Sequence, residues 1–486
     1  MLLYRLGGPR LRALIVGIGT LALVPGRAMA QQAVTSTAAA PPKSTPASGP
    51  QSAAPPNAGA PVAPSPPPAA AAVGPVTTPA SAGPAMTLEQ AIQLTLSRNE
   101  RVKISDLNVA VVAAARDKAV TAFLPVVTLN GQDTQTSYPG TKTVPNNIGT
   151  ATATVNQPLL IASSFPLYAY AKHNLEAQES QNVDDKRLLG FTAASAFFTV
   201  LNAREVVQAA ERQLENANAN LTDTQARADA QLSSANDVTK AQVDLSSAQH
   251  ELENDKGNLD NAVVQLAFTI NAPATQELAP PSQTLAAAQN PAGGGDQLAR
   301  FAVDHRPDVA VAKYQAIAAR DYASEPLLRL VPTVSLIGTA GATTNTAAVN
   351  NNEETMQATL TWTIFDQGVR YTDKRSRDAQ KEIADEALLL LVRNVDAQVR
   401  GSLALLVAAQ SAFRAAGEGV KAAKQNVDET AILYRQGLAT ALELIDANDS
   451  RFTADINLAS AEFQMAQAYL GLRQALGLDA LGTELR

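Results

Sequence analysis

Glu443 and Asp446 stand three residues apart in "ATALELIDAND", so on a helix both carboxylates project from one face. Such a pair is a cation-attracting patch whose members raise each other's proton affinity. Acids also favour the first turn of a helix, where the helix dipole stabilises negative charge. Taken alone, the residue types favour that second, plainer reading.

Little else in the chain could do chemistry. His173, His250 and His305 lie apart in helical stretches without ligand spacing and read as surface or capping residues, so no metal site is expected. Gly293-Gly294-Gly295 has no Lys-Ser/Thr after it and reads as a loop, not a phosphate cradle. G-x-S-x-G and H-E-x-x-H are missing, and the chain has no cysteine, which removes disulfides, thiolate ligands, thiol nucleophiles and a lipidated N-terminal cysteine. The expectation is a protein that is not an enzyme and carries no cofactor.

A net charge of -7 without any basic tract argues against nucleic acid. Aromatic residues make up only 4% of the chain, while Ala, Gln, Asn and Leu crowd its second half, a bias toward long helices over one large core. Arg5, Arg10 and Arg12 precede the apolar run 13–24, and Ala28-Met29-Ala30 offers a cleavage site, so residues 1–30 read as a secretory signal peptide. Residues 31–85 hold half of the 28 prolines and almost no large apolar side chains, which predicts a disordered Pro/Ala-rich tether.

From residue 86 the sequence overlays itself at a shift of about 206 residues, giving two structural repeats, 86–290 and 291–486. Each opens with a helical stretch closed by a proline, Pro125 or Pro332. Alternation follows: residues 126–136 with 150–160, and 333–343 with 356–364, one face apolar and the other rich in Thr. Each repeat therefore predicts two strands, joined by polar loops at about 137–149 and 344–356. Asp133 is at odds with the apolar face, and Trp362 is expected in mid-strand. Tyr138, Tyr168, Phe365 and Tyr371 stand near strand ends, where aromatics form membrane girdles.

Very long helices are predicted at about 165–232 and 367–435, each followed after a short turn by a second helix, about 236–270 and 441–476. Val238, Leu245, Leu252, Leu259 and Leu266 form a heptad row, with Ala241, Ala248, Asp255 and Ala262 as a small-residue row beside it. In the second repeat Ala447, Ala454, Ala461 and Ala468 take the small row. Small seam residues let helix axes approach closely, so the helices are expected to form a wall.

The duplicated order of helix, hairpin, long helix, turn and helix, with "FLPVVTLN", "VNQPLL", "TIFDQGVR" and "YRQGLATALELIDA", resembles the TolC-like outer membrane efflux proteins over about 86–482. The resemblance implies a mainly α protein with a membrane β-barrel: a homotrimer in which four strands per chain build a shared twelve-stranded barrel in the outer-membrane lipid. Long antiparallel helices continue it as an α-barrel tunnel through the periplasm. It implies an exit duct of a tripartite efflux or secretion system, docked by a periplasmic membrane-fusion adaptor that is joined to an inner-membrane transporter. The docking tips would be Leu232, Ser233 and Ser234 in the first repeat and Gly437, Leu438, Ala439 and Thr440 in the second. Glu443 and Asp446 match the family's aperture carboxylates, and three chains would set six of them around one axis, raising the proton affinity of some. Asp237 and Tyr434 match two members of a closing latch, while Ala439 replaces its arginine and Arg435 would substitute. The alternative from another class is a periplasmic coiled-coil scaffold without a pore.

Overall fold

The computed structural model describes residues 85–136, 146–274, 277–290, 294–345 and 348–481; the signal peptide, all but the last residue of the tether, and Tyr138 lie outside them. Each repeat opens with two helices, not one: α1 (Leu88–Arg98) and α2 (Glu100–Thr121) in the first, α6 (Gly295–His305) and α7 (Pro307–Leu328) in the second. The break at Asn99 and Arg306 is local chemistry. Asn99 is extended and its side chain accepts the Arg101 N–H, restarting a helix; Arg306 precedes Pro307, which cannot continue one. A short helix, α5 (Ser282–Gln289), joins the repeats. Gly295 corrects the glycine-loop expectation: Gly294 is the N-cap of α6 and Gly295 its first residue.

The strands are β1 (Val126–Thr136), β2 (Asn146–Leu160), β3 (Thr333–Asn345) and β4 (Ala348–Thr361), all antiparallel in the order β1-β2-β3-β4. The predicted loop 344–356 is mostly strand, because β3 runs to Asn345 and β4 starts at Ala348. Its polar run forms a strand by pairing with β3, alternate residues such as Glu353 and Thr355 falling on the Thr-rich face. Trp362 is also corrected: it follows the last strand residue, and its indole N–H donates to the Leu330 carbonyl at 2.9 Å. With the Phe123–Phe165 ring pair and exposed Phe365 it collects aromatics where sheet meets helices. The register aligns Val127, Val155, Gly338 and Met356 across the strands, and Leu129, Ala153 and Ala340 beside them. By alternation the opposite face carries Thr128, Thr152, Thr154, Thr339 and Thr355. Asp133 lies on the apolar face but only three residues from the end of β1, beyond this greasy band.

The long helices are α3 (Ser164–Asp229) and α8 (Val369–Arg435), of 66 and 67 residues, each about 100 Å long. They are followed by α4 (Ala235–Ile270) and α9 (Ala441–Ala475). α3 packs on α4, α7 and α9, and α8 on α7 and α9. The α4 seam is buried from Ala241 through Leu245, Ala248, Leu252, Leu259 and Leu266. On α9 Ala447, Ala461, Met465 and Leu472 are buried, but Arg451, Ala454, Leu458 and Ala468 stay partly open. Phe197, Leu266 and Ile270 centre one hydrophobic cluster; Val395, Leu406 and Met465 centre another. Two buried arginines close the C-terminal end of α9: Arg187 donates to the Gln474 carbonyl at 3.0 Å and Arg306 to that of Ala475 at 3.0 Å. No described helix is long and apolar enough to cross a membrane.

Candidate functional site

The two tips, where α3 turns into α4 and α8 into α9, are one design built twice. A helix end leaves carbonyls unpaired, and a residue in the left-handed region lets the next N–H turn back to them. In the second repeat Gly437 takes that conformation at φ 74, and the Leu438 N–H reaches the Leu433 carbonyl at 2.9 Å. In the first, Gln231 takes it at φ 59 despite its side chain, and the Leu232 N–H reaches the Arg227 carbonyl at 2.8 Å. Leu232 and Leu438 then face solvent, 77% and 72% exposed. Ser233 is half-buried and Ala439 partly so.

Each turn ends in a capping box. Ser234 accepts the Asp237 N–H at 3.2 Å, while the Asp237 carboxylate accepts from the Ser234 N–H and from the Ser233 and Ser234 hydroxyls. Thr440 and Glu443 repeat the arrangement, the Glu443 carboxylate accepting the Thr440 N–H at 2.6 Å and its hydroxyl at 3.0 Å. Asp237 and Glu443 are thus the same position of the repeat. These cap hydrogen bonds, from Ser234 to Asp237 and from Thr440 to Glu443, hold both carboxyls below the usual range. Within one chain Glu443 therefore moves opposite to the rise expected for a self-repelling ring, because it is committed to a cap.

Tyr434 is buried and bridges the two long helices. The Arg227 guanidinium of α3 lies 4.2 Å from its ring centroid, and its hydroxyl is 3.4 Å from that of Thr224. Asp237 bonds its own cap, and Arg435 donates to the Ala431 carbonyl one turn back at 3.2 Å. Asp446 is exposed, on the rim of a groove of about 590 Å³ between α4 and α9. Asp244, Glu251, Asp449 and Lys240 also line it, over an apolar floor that includes Ala248, Ile445 and Phe452. Gln213, buried on α3, donates to Asp449 at 2.7 Å. Burial, then Asp449, pushes Asp244 up to about 6. Burial raises Asp449 as well, with Asp446 adding to the rise against the Gln213 hydrogen bond.

Sequence reading did not reach Arg227, Thr224, Asp244, Asp449 or Gln213. The first two sit over 200 positions from Tyr434, and the acids carry no local motif; only their helical phase, one turn from the seam, marks them. The histidines stay outside any site: His173 pairs with Asp321 of α7 at 2.7 Å, which corrects the surface reading. No group of acids, histidines or cysteines that could hold a metal occurs among the described residues.

A family model described as outer membrane efflux protein matches residues 91–272 and 298–478. The outer membrane protein TolC of Salmonella enteritidis is 23% identical over 410 residues, 80% of this chain and 83% of that one. Protein CyaE of Bordetella pertussis is 31% identical over 131 residues, only 27% of either chain. The structure of CusC superposes with a TM-score of 0.73 at 17% identity, covering 80% of this chain and 92% of that one. The open state of the Neisseria gonorrhoeae MtrE outer membrane channel gives 0.70 at 19% identity, over 80% and 89%. The repeats that carry the tips are the segments the family model matches, and the chain belongs to the outer membrane efflux protein family, a protein of the outer membrane.

Proposed function

We propose that three copies of this chain form the exit duct of a tripartite efflux or secretion system. The observation that carries this reading is the sheet: four strands with open edges at β1 and β4, one face apolar and the other rich in hydroxyls. Four strands cannot close a barrel, an open edge cannot face lipid, and about eight strands are the least that enclose a lumen. Three copies give twelve strands, with the Thr face on water. A second feature supports assembly: Ile104, Leu107 and Val111 form an exposed apolar stripe on α2, and Ile383 and Leu390 another on α8.

In this reading the long helices form the periplasmic tunnel and the tips its entrance. The exposed Leu232 and Leu438, flanked by Ser233, Ser234, Gly437, Ala439 and Thr440, offer the adaptor paired apolar contacts. Glu443 and Asp446 line the aperture as acids, Tyr434 stands at its hinge, and Asp237 and Arg435 flank it. An inner-membrane transporter supplies the energy, and the duct catalyses nothing. The poreless scaffold has no use for a sheet with one lipid-compatible face.

The test is membrane fractionation followed by the mass of the detergent-extracted particle. Outer-membrane location with a mass of three chains supports the duct. A periplasmic monomer or dimer overturns it.

A further inference from the structure

The lumen face of the sheet carries one charged side chain among the described residues. Strand alternation places Asn130, Gln132 and Thr134 of β1, Thr150, Thr152 and Thr154 of β2, and Ser335, Thr339 and Thr343 of β3 on the face opposite the apolar band. On β4 the same face holds Glu353, Thr355, Gln357 and Thr359. Glu354, the next residue, falls on the outer face with Met356 and Leu360, paired with Ala340. Two adjacent glutamates thus point to opposite sides of the wall.

Glu353 is exposed and pairs with Gly341 of β3, beyond which lie Thr152 and Asn130. A glycine there leaves the carboxylate room and no partner across the strand. The other residues named on this face are uncharged, so each chain contributes one such charge among the described residues. We propose that Glu353 is the residue that sets the charge preference of the barrel lumen, favouring cations over anions at its outer part; this rests on the shared-barrel reading above. It lies eight positions from Thr361 at the helix end of the strand, so it sits about 26 Å along the strand, well into the membrane.

Magnitudes decide when the ring matters. A twelve-stranded barrel has a backbone radius of about 12 Å, and side chains narrow the lumen further. Three carboxylates reaching inward lie within about one Debye length of the axis at 0.1 M salt, about 10 Å, but not at 1 M, about 3 Å. A neutral Thr wall offers no competing charge.

The experiment uses the full trimer in planar bilayers, reading the reversal potential in a KCl gradient near 0.1 M. Glu353→Gln lowers the potassium-to-chloride permeability ratio by about two-fold or more, the effect fades near 1 M, and Glu354→Gln changes nothing. The chain has no cysteine, so Glu353→Cys gives one reactive thiol per protomer. A sulfonatoethyl methanethiosulfonate restores the preference and a trimethylammonium reagent lowers it below that of Glu353→Gln, which separates charge from folding. A conducting channel whose ratio ignores both Glu353→Gln and the reagents overturns this proposal alone. Absence of any conductance overturns the shared barrel and the proposal with it.

Discussion

The Arg227 guanidinium lies 4.2 Å from the centre of the Tyr434 ring, joining the first repeat's long helix to the second's just above the two tips. Asp223 holds Arg227 from one turn back at 2.9 Å, so the cation is aimed before it meets the ring. A buried cation–π contact of this kind contributes about 1–2 kcal/mol. In the proposed duct, Arg227→Ala is expected to raise resting single-channel conductance, by about 5- to 30-fold in open population. Asp237→Asn touches only its own cap and should leave the leak near wild type. The reverse pattern would move the latch to Asp237.

The two turns differ in one residue that matters. Gly437 occupies the left-handed region freely, whereas Gln231 occupies it at a steric cost. Gly437→Gln should lower stability by about 1 kcal/mol, and Gln231→Gly should raise it by up to a similar amount, less the entropy a glycine adds to the unfolded chain. Limited proteolysis at the tips reads both. Equal sensitivity of the two variants would mean that the turns are not equivalent in the assembled particle.

Acidity should act through the α4–α9 groove. Asp244 is raised to about 6 by burial and then by Asp449, so the folded groove binds a proton more tightly than the unfolded chain. Stability is then highest below about pH 4, declines as pH rises toward about 6, and is level above that. Asp244→Asn should raise the thermal midpoint at pH 7.5, leave it nearly unchanged below about pH 4, and flatten the profile between. The groove is open to water, so the gain is on the order of 1 kcal/mol. A wild-type profile that rises with pH over this window would refute the assignment.

How far the sequence reaches depends on how local each cause is. The long helices end within a few residues of their expected bounds because heptads and the Thr440-x-x-Glu443 box are written in adjacent positions. Residues 350–355, "NNNEET", read as loop because six polar residues look soluble; they form strand because they pair with β3, a partner that no local pattern reveals. Gln231 hides its turn for the opposite reason: backbone bonds from Leu232 to Arg227 impose a conformation its type disfavours. The Arg227–Tyr434 contact and the β2–β3 pairing join the two repeats and follow from tertiary packing alone.

The alanine row carries a last consequence at Asp255. On α4 it takes the small seam position that its repeat partner fills with Ala461, and it is buried with its Oδ2 atom unpaired. Burial, reinforced by Glu251, raises its proton affinity against one hydrogen bond from Asn258. A carboxyl in that place weakens a seam built for a methyl group, by about 1–3 kcal/mol where the desolvation is uncompensated. Asp255→Ala should therefore raise the thermal midpoint of the detergent-extracted particle at pH 7.5, with less gain at acid pH where wild-type Asp255 is neutral. A falling midpoint, or loss of the three-chain mass, would instead show that a neighbouring protomer pairs this carboxylate, and that the exception in the alanine row belongs to assembly.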